Sequence, residues 1–342
     1  MKNSQSTFLN LLNSYFIQYL PISFGASPNT IKSYKYTFIL LFRFFEEKGK
    51  SPDKIGFKDL SMNTILDFLS WLEISRNCSR STRNQRLAAL LSFSKYAQNR
   101  NFEAASMFRS EILKIPVKKS VKSHKAYFSI EEVGILLNLP DLRQHFGFRD
   151  QVILCVLYAS GARAQELCDL KVKNVISSKE KTVLVITGKG EKTRRILIPD
   201  TCSKLLLEFI KRRKIENKPE AHIFSSLTHE HMTISCVNEI VKKYVKLGKE
   251  KFPSLFMENG YSPHSWRHSV AVHMIEAGIS LVVIKNFLGH SSITTTQIYA
   301  ELSQASVDKK IKEWNEKWFS PTVRKNKKEN PKTDLLDFLK LC

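Results

Sequence analysis

Arginine, glutamate and histidine stand at helical spacing in two separate motifs of the second half of the chain. Arg163 in SGARAQEL directly follows the turn that ends a long apolar run, where burying a guanidinium is costly unless an anion meets it. Glu166, three residues later, lies on the same helical face and is placed to orient Arg163. His264 and Arg267 in SPHSWRHS have the same spacing. The two motifs therefore favour an anionic ligand.

Three further residues complete the set of candidates. Lys189 lies between two glycines in TGKGEKT, and glycine permits a backbone to approach a ligand closely. This motif lacks the G-x-x-x-x-G-K-[ST] spacing of a phosphate-binding P-loop. His290 follows a glycine, and Tyr299 comes nine residues later. The chemical question is whether Tyr299 is a nucleophile or a packed aromatic residue.

Each candidate has a structural explanation when it is taken alone. Arg163 could simply pair with Glu166, and His264 could be a polar residue at a helix start. Lys189 could keep a hairpin tip soluble, and Tyr299 could pack in the core. Isolated polar residues are often structural, so only their common order along the chain argues for a shared site.

The elements that must position these candidates are mainly helical. The segment FSIEEVGILLNLP begins with a capping box, Ser129 and Glu132, and RDQVILCVLYASG predicts a buried helix that ends at Gly161. Two β-branched stretches flank GKGEK and predict a hairpin that carries Lys189. A capped helix follows in SPHSWRHSVAVHMIEAG, and a short one in SLVVIKNFLGH ends at Gly289. The predicted fold class is mainly α with a small antiparallel β-sheet.

The first part of the chain is predicted to be all-helical. Ser27 and Pro28 open one helix as N-cap and first residue, and Ser61 caps a second. A third helix is predicted to start at Ser81 and Thr82.

Three arginines lie at the start of this third helix: Arg80, Arg83 and Arg86. Positive charge at a helix N-terminus opposes the helix macrodipole, and an external phosphate would compensate it. The alternative is a solvated helix face. We predict that these arginines contact DNA.

Composition favours a polyanionic partner. The chain has 342 residues, enough for two domains, and its 54 lysines and arginines exceed its 32 acidic residues by 22. It contains no apolar run of the roughly 18 residues that span a bilayer. Its N-terminus, MKNSQSTFLNLLNSYF, has no signal-peptide pattern. We therefore expect a cytoplasmic protein.

Cysteine and histidine spacing gives no support for a metal site. The six cysteines form no C-x-x-C pair and are expected to be core residues or free thiols. His222, His229 and His231 come nearest to a metal cluster, but no cysteine or carboxylate lies at ligand spacing. They are predicted to be surface and loop histidines, and no metal is expected.

A basic, aperiodic segment, residues 114–126, is predicted to be an extended interdomain linker. It separates an N-terminal helical DNA-binding domain, residues 1–113, from a mixed α/β domain, residues 127–319. Residues 320–342 are predicted to form a flexible basic tail that ends in a short amphipathic segment, DLLDFLKLC. Two basic domains joined by a basic linker suggest a clamp whose hinge lies along a nucleic-acid backbone.

The ordered motifs resemble those of the tyrosine recombinase/integrase family of DNA strand-exchange enzymes. The matching boxes are SGARAQEL, TGKGEKTR, SPHSWRHS, LGHSS and TTTQIYA. The helical first part is similar to the core-binding domain of that family. Trp266 departs from the pattern, since a smaller aliphatic residue is commoner there. The resemblance implies a C-shaped clamp on double-stranded DNA and no metal or nucleotide cofactor.

The resemblance also implies a role for each candidate. Tyr299 would attack the scissile phosphate and form a 3′-phosphotyrosyl linkage with a free 5′-hydroxyl. Arg163 and Arg267 would donate hydrogen bonds to the non-bridging oxygens, and Glu166 would position Arg163.

The resemblance implies proton transfer for Lys189 and His264 and a phosphate contact for His290. Lys189 would protonate the leaving 5′-oxygen, His264 would help to accept the tyrosine proton, and His290 would hydrogen-bond the phosphate. The phosphotyrosyl bond conserves energy for rejoining, so the reaction needs neither metal nor ATP.

Several assignments stay open at this level. The last two boxes look more similar to recombinases of mobile elements, which integrate, excise or transpose DNA, than to Xer-type enzymes that resolve chromosome dimers. A type IB topoisomerase shares the chemistry, and a non-catalytic DNA-binding accessory protein would explain the charge alone. Recombination implies a homotetramer on two DNA sites, with or without sister recombinases. The segments SVDKKIKEWNEKW and DLLDFLKLC are candidates for contacts between protomers.

Overall fold

The computed structural model describes residues 2–119, 125–188, 192–226 and 229–289, together with Lys312. Contacts within the chain divide it into two units, Met1–Ser123 and His124–Cys342, which are called the first and the second unit below. None of the helices in the described ranges has both the length and the apolar content that crossing a bilayer requires.

The first unit is helical, as predicted. Its elements are α1 (Lys2–Ser14) with a π-helical continuation (Tyr15–Ser23), α2 (Pro28–Glu47), short 3₁₀ turns at Pro52–Lys54 and Phe57–Asp59, α3 (Met62–Ile74), α4 (Arg80–Arg100) and α5 (Phe102–Leu113). Ser27 caps α2 and Ser61 caps α3, each by accepting a hydrogen bond from the backbone N–H three residues later. Helix α4 begins earlier than predicted, because Ser79 and not Ser81 is its N-cap.

Helix α4 forms the centre of the first unit. Leu87, Leu90 and Phe93 follow one another at helical spacing and are fully buried. The Phe93 ring packs against Phe8 and Phe38 with centroid distances of 5.7 and 5.2 Å, both nearly edge-to-face. Helices α1 and α2 therefore share one aromatic core with α4.

The described beginning of the predicted linker is attached to α4. The backbone oxygen of Pro116 accepts a hydrogen bond from Arg83 Nη1 at 3.0 Å. The Asn84 side chain donates to the Lys118 carbonyl at 2.8 Å and accepts from the Lys118 N–H at 3.1 Å. Residues 116–118 are thus fixed to the first unit, and the domain boundaries given above stay predictions.

The second unit combines helices with one small sheet, which confirms the predicted fold class. Its elements are α6 (Ile130–Asn138), α7 (Gly147–Ser160), α8 (Ala164–Cys168), β1 (Val175–Ser177), β2 (Thr182–Thr187), β3 (Thr193–Ile198), α9 (Asp200–Arg212), α10 (Ile234–Lys251), α11 (Pro263–Glu276) and α12 (Leu281–Leu288). The strands pair antiparallel in the order β1-β2-β3. Leu184 on β2 lies opposite both Val175 on β1 and Ile196 on β3.

Helix α7 is the buried helix that its apolar run predicts. Ile153, Val156 and Leu157 are fully buried in a core that also contains Leu184 of the sheet. The helix ends at Gly161, which has a left-handed backbone conformation with φ 56°. This turn delivers the chain to Arg163, so a rigid buried element determines where the first candidate residue lies.

Candidate active site and predicted DNA contacts

Arg163 and Glu166 form a capping box at the start of α8. Glu166 Oε2 accepts the backbone N–H of Arg163 at 2.9 Å, and Oε1 accepts a hydrogen bond from Arg163 Nη1 at 2.7 Å. The Glu166 side chain is 5% exposed, whereas that of Arg163 is 36% exposed. Within the described part of the chain, Glu166 is the hydrogen-bond partner that holds this guanidinium, so the carboxylate orients Arg163 and leaves it facing solvent.

Arg194 on β3 is a second guanidinium at the same carboxylate. It is the last residue of the box TGKGEKTR, but no role was predicted for it. Its Nη2 lies 2.8 Å from Glu166 Oε2 and its Nη1 lies 3.2 Å from Oε1. A signal for it exists in the sequence: TRRILI alternates, so Arg194 lies on the same strand face as the buried Ile196 and Ile198. An arginine on the inward face of a strand needs a buried anion.

The charge state of Glu166 follows from these contacts. Burial alone would raise the pKa of its carboxyl, but hydrogen bonds from Arg194 and from the Arg163 backbone outweigh burial and hold that pKa below its usual value. Glu166 is therefore ionised at neutral pH. Two cations share one anion, which leaves a net positive charge at the start of α8.

His264 lies in the first turn of α11 with its side chain exposed. Loss of hydration to the surrounding protein lowers the pKa of this imidazole, and the positive charges of Arg267 and Arg163 lower it further. The neutral ring is favoured near neutral pH, and a neutral imidazole can accept a proton. His264 and Arg267 are three residues apart on α11 and so lie on one face of that helix.

Arg267 is buried, 3% exposed, and links two helix ends. Its Nη1 donates to the Gly161 carbonyl at 2.7 Å, and its Nη2 donates to the Leu288 carbonyl. Carbonyl groups at helix C-termini carry partial negative charge, which a guanidinium complements. Arg267 thereby joins the turn before Arg163 to the end of α12, directly before the Gly-His motif.

Trp266, the departure from the family pattern, packs behind these residues. Its side chain is fully buried, and its ring lies 5.1 Å from that of Phe128 and 6.3 Å from that of Tyr158, measured between centroids. The large ring fills the core beneath α11. Its position leaves His264 and Arg267 on the other sides of the helix.

Three predicted site residues, Lys189, His290 and Tyr299, lie outside the described residues. Their neighbours Gly188 and Gly289 are described, and a methyl group placed on either would lie within 3.8 Å of Arg194 Nη1. The structure thus brings together Arg163, Glu166, His264 and Arg267, along with the chain positions that directly precede Lys189 and His290. Two arginines, an imidazole and a shared carboxylate can bind an anion and move a proton.

The predicted DNA contact by Arg83 needs correction. Arg83 is 2% exposed, and its Nη1 donates to the Pro116 carbonyl and to the Asn84 side chain. The guanidinium therefore ties α4 to the following segment. The pattern of basic residues at a helix start could not reveal this, because the acceptor lies 33 residues away.

The other two arginines of α4 differ from Arg83. Arg86 is half-buried, donates to the Ser33 carbonyl at 2.9 Å and stacks over the Tyr36 ring at 5.1 Å. Arg80 is exposed, with a long contact of 3.4 Å to the Lys119 carbonyl. Arg80 remains the member of the set whose geometry suits a phosphate best.

Two of the three predicted surface histidines, His222 and His231, form a small polar cluster with Asp169. The rings of His222 and His231 stack with centroids 4.3 Å apart, and His231 Nε2 lies 3.0 Å from Asp169 Oδ1. Asp169 could not be predicted to lie beside them, since it is 62 residues from His231 along the chain. Among the described residues, no group of three or more potential ligands has the arrangement of a metal site.

Family profiles match nearly the whole chain. The profile described as the phage integrase family matches residues 107–306, and that described as the N-terminal SAM-like domain of phage integrases matches residues 16–104. The first spans more than half of the chain and includes every predicted catalytic position.

Two relatives share about a third of their residues with the chain. A putative integrase/recombinase of Sinorhizobium fredii is 31% identical over 330 residues, which are 96% of each chain. A tyrosine recombinase XerC of Caldanaerobacter subterraneus is 30% identical over 308 residues, covering 85% of this chain and 83% of the relative.

The fold is similar to that of a recombinase solved on DNA. The XerH site-specific recombinase in its pre-cleavage complex with difH superimposes with a TM-score of 0.65 and is 19% identical in sequence. The match covers 85% of this chain and 80% of that one. At this identity the likeness shows a shared fold.

Proposed function

The chain belongs to the phage integrase family and is a tyrosine-type site-specific DNA recombinase, and we propose that Tyr299 is its nucleophile. In this proposal, the Tyr299 oxygen attacks the scissile phosphorus, and the bond from phosphorus to the 5′-oxygen breaks. The 3′ end becomes covalently attached to the protein. A 5′-hydroxyl later attacks the phosphorus of this phosphotyrosyl linkage, and the bond from phosphorus to the Tyr299 oxygen breaks, which restores the DNA strand and the tyrosine.

Each proton transfer in the proposed reaction is assigned to one residue. Lys189 gives its proton to the departing 5′-oxygen, and His264 accepts the proton of Tyr299. The lowered pKa of His264 supports its part, because a neutral imidazole is the form that takes up a proton. His290 donates a hydrogen bond to the phosphate.

The observation that carries the proposal is the orientation of Arg163. Glu166 holds Nη1 from a buried position, while a third of the Arg163 side chain remains exposed. A guanidinium fixed in this way is preorganised for the charge that develops on a non-bridging phosphate oxygen. Arg267 is proposed as the second phosphate ligand, next to the turn that carries Arg163.

The experiment that tests this proposal traps the covalent linkage. Duplexes that tile the DNA around the gene, each with a nick at a different position, are incubated with the protein without magnesium. After cleavage the short 5′-hydroxyl fragment diffuses away, so we expect an SDS-resistant adduct from the wild-type protein. Tyr299→Phe should form none.

Three results would contradict the proposal. An adduct formed equally well by Tyr299→Phe would move the nucleophile to another residue. Binding without any adduct would favour a non-catalytic accessory role, whereas relaxation of supercoils without strand exchange would indicate topoisomerase activity. DNA affinity should fall steeply with salt in each case, because phosphate contacts release counterions.

We also propose that the biological reaction is integration, excision or transposition of a mobile element. The relative named as a putative integrase/recombinase matches over 96% of both chains, which supports this choice. Relatives named XerC and XerD support the alternative, resolution of chromosome dimers. Excised circles that join the two ends flanking the gene would establish the first, and their absence together with recombination at a single chromosomal site would establish the second.

The proposed active assembly is a homotetramer on two double-stranded DNA sites. Each duplex is cut on both strands during exchange, so two sites require four nucleophiles. The candidate contact segments, SVDKKIKEWNEKW and DLLDFLKLC, lie outside the described residues apart from Lys312. Native mass measurement of the synapse should give four protomers per two duplexes, and a stable complex with two protomers that completes exchange would contradict this.

A further inference from the structure

We propose that Arg194 is a positioning residue that keeps Arg163 available to the phosphate and joins three segments of the active site. The inference rests on the proposed function, since it names a residue that acts through Glu166. No role was predicted for Arg194 from the box TGKGEKTR, which it ends, yet it lies between the start of α8, the β2–β3 hairpin and the turn after α12.

Arg194 is the guanidinium that contacts both carboxylate oxygens of Glu166. Arg194 makes a two-pronged contact with both carboxylate oxygens, at 2.8 and 3.2 Å, and its side chain is 10% exposed. The Arg163 side chain contacts only Oε1 of Glu166, and the Arg163 backbone N–H donates to Oε2. Paired N–H groups on two carboxylate oxygens are the preferred geometry of an arginine–carboxylate pair. Arg194 takes that geometry, so Arg163 is left with a single side-chain contact.

The hairpin approaches the same ion pair. The Gly188 N–H donates to the Lys192 carbonyl at 2.9 Å and so closes the described base of the loop. A methyl group on Gly188 would lie 3.2 Å from Glu166 Oε1 and 3.8 Å from Arg194 Nη1. The carboxylate and Arg194 therefore support the backbone directly before Lys189.

The turn after α12 rests on the Arg194 side chain. Gly289 ends that helix in a left-handed conformation, φ 66°. A methyl group on Gly289 would lie 3.1 Å from Arg194 Cδ and 3.3 Å from Nη1. Arg194 thus supports the position that precedes His290, in addition to the one that precedes Lys189.

Removal of Arg194 has a defined consequence. A buried carboxylate that loses one of its two guanidinium partners needs another donor for the vacated oxygen. Arg163 is the remaining guanidinium, and it can turn its second Nη group onto Glu166. It would then present fewer N–H groups to the phosphate. Cleavage should slow while the charge that attracts DNA stays nearly unchanged.

The test measures single-turnover cleavage at saturating DNA, on the nicked duplex that gives the wild-type adduct. We expect Arg194→Ala to slow cleavage about 100-fold, the size expected for misplacement of a catalytic group by an ångström or so. Its DNA dissociation constant should stay within about twofold of wild type. Arg195→Ala is the matched control, because it removes the same charge from the exposed next position of β3 and should cleave normally.

A double-mutant cycle separates positioning from a general loss of structure. If Arg194 acts through Glu166, then Arg194→Ala combined with Glu166→Gln should cleave no more slowly than the slower single variant. Arg194→Lys keeps the charge without the two-pronged geometry and should recover part of the rate. All rates are measured at least 10 °C below the melting temperature of each variant, an interval chosen from the size of typical single-mutation shifts, about 2–8 °C.

The outcomes are distinct. Wild-type cleavage with an unimpaired Arg194→Ala variant would overturn the inference and leave the proposed function intact. Losses that add in full in the double variant would also overturn it, because they would mean that Arg194 acts independently of Glu166. Absence of an adduct from the wild-type protein would instead overturn the proposed function itself.

Discussion

The arginines of α4 in the first unit and those around α8 in the second unit are held in different ways. Arg83 and Arg86 donate to uncharged oxygens, namely backbone carbonyls and the side chains of Asn84, Ser33 and Thr37. Arg163 and Arg194 both hold one buried carboxylate. The difference separates arginines that close the fold from an arginine that is oriented for a ligand.

The two kinds of arginine differ in how much of the side chain their contacts leave exposed to solvent. Carbonyl groups of the segment after α5 need donors once they pack on α4, and Arg83 supplies one from a buried position. Glu166 instead fixes an arginine whose side chain is still 36% exposed. A strongly basic chain can therefore contain arginines of both kinds. Arg267 is buried and donates to two backbone carbonyls, so its proposed role rests on its place beside the turn that carries Arg163.

The largest expected effect is on cleavage. Arg163→Ala should slow single-turnover cleavage by about 100- to 1000-fold, the usual cost of removing one preorganised donor from a transition-state oxygen. DNA affinity should change little, because most of the basic surface remains. If Arg83→Ala slowed cleavage at saturating DNA by the same factor, the contrast between the two units would fail.

The next effect is on stability. Arg83→Ala should lower the free energy of unfolding by about 1–3 kcal/mol, since it removes a buried side chain together with its hydrogen bonds to Pro116 and Asn84. Arg80→Ala, at an exposed position of the same helix, is the matched control and should stay within about 0.5 kcal/mol of wild type. Urea unfolding measures both. Equal losses for the two variants would remove the distinction between Arg83 and Arg80.

The smallest effect concerns His264 and the sign of its titration. Its pKa is lowered in the folded chain by lost hydration, by Arg267 and by Arg163. The unfolded chain therefore binds the proton more tightly, and this group adds stability above its unfolded pKa of about 6.5 that is lost as the pH falls toward the lowered value. Arg163→Ala should raise the pKa of His264, measured by NMR titration of the ring without DNA. An unchanged or lower pKa would mean that Arg163 does not lie close to the imidazole.

Local signals in the sequence were sufficient for most element starts. Ser27, Ser61 and Ser129 cap the helices they predict, because a side chain that bonds an N–H three residues later needs only neighbouring residues. The hairpin followed from β-branched residues on both sides of GKGEK. The start of α4 was wrong by two residues, since Ser79, Ser81 and Thr82 all suit a cap and Ser79 takes the role.

Contacts between distant residues were beyond such signals. The burial of Arg83 depends on Pro116, and the ion pair of Arg194 depends on Glu166, 28 residues earlier. Helix α5 was also missed: no separate helix was predicted for residues 102–113, where α5 begins directly after Asn101 ends α4. The motifs located Arg163, Glu166, His264 and Arg267, but the residue that joins their segments needed three-dimensional contacts.

The most direct test of the contrast between the two units replaces the scissile phosphate with a methylphosphonate. This substrate lacks the negative charge that Arg163 is proposed to meet, while everything that Arg83 holds within the protein is unchanged. We expect the cleavage deficit of Arg163→Ala, about 100- to 1000-fold on phosphate, to shrink to less than about tenfold on methylphosphonate. An equal deficit on both substrates would contradict the assignment of Arg163 to the phosphate.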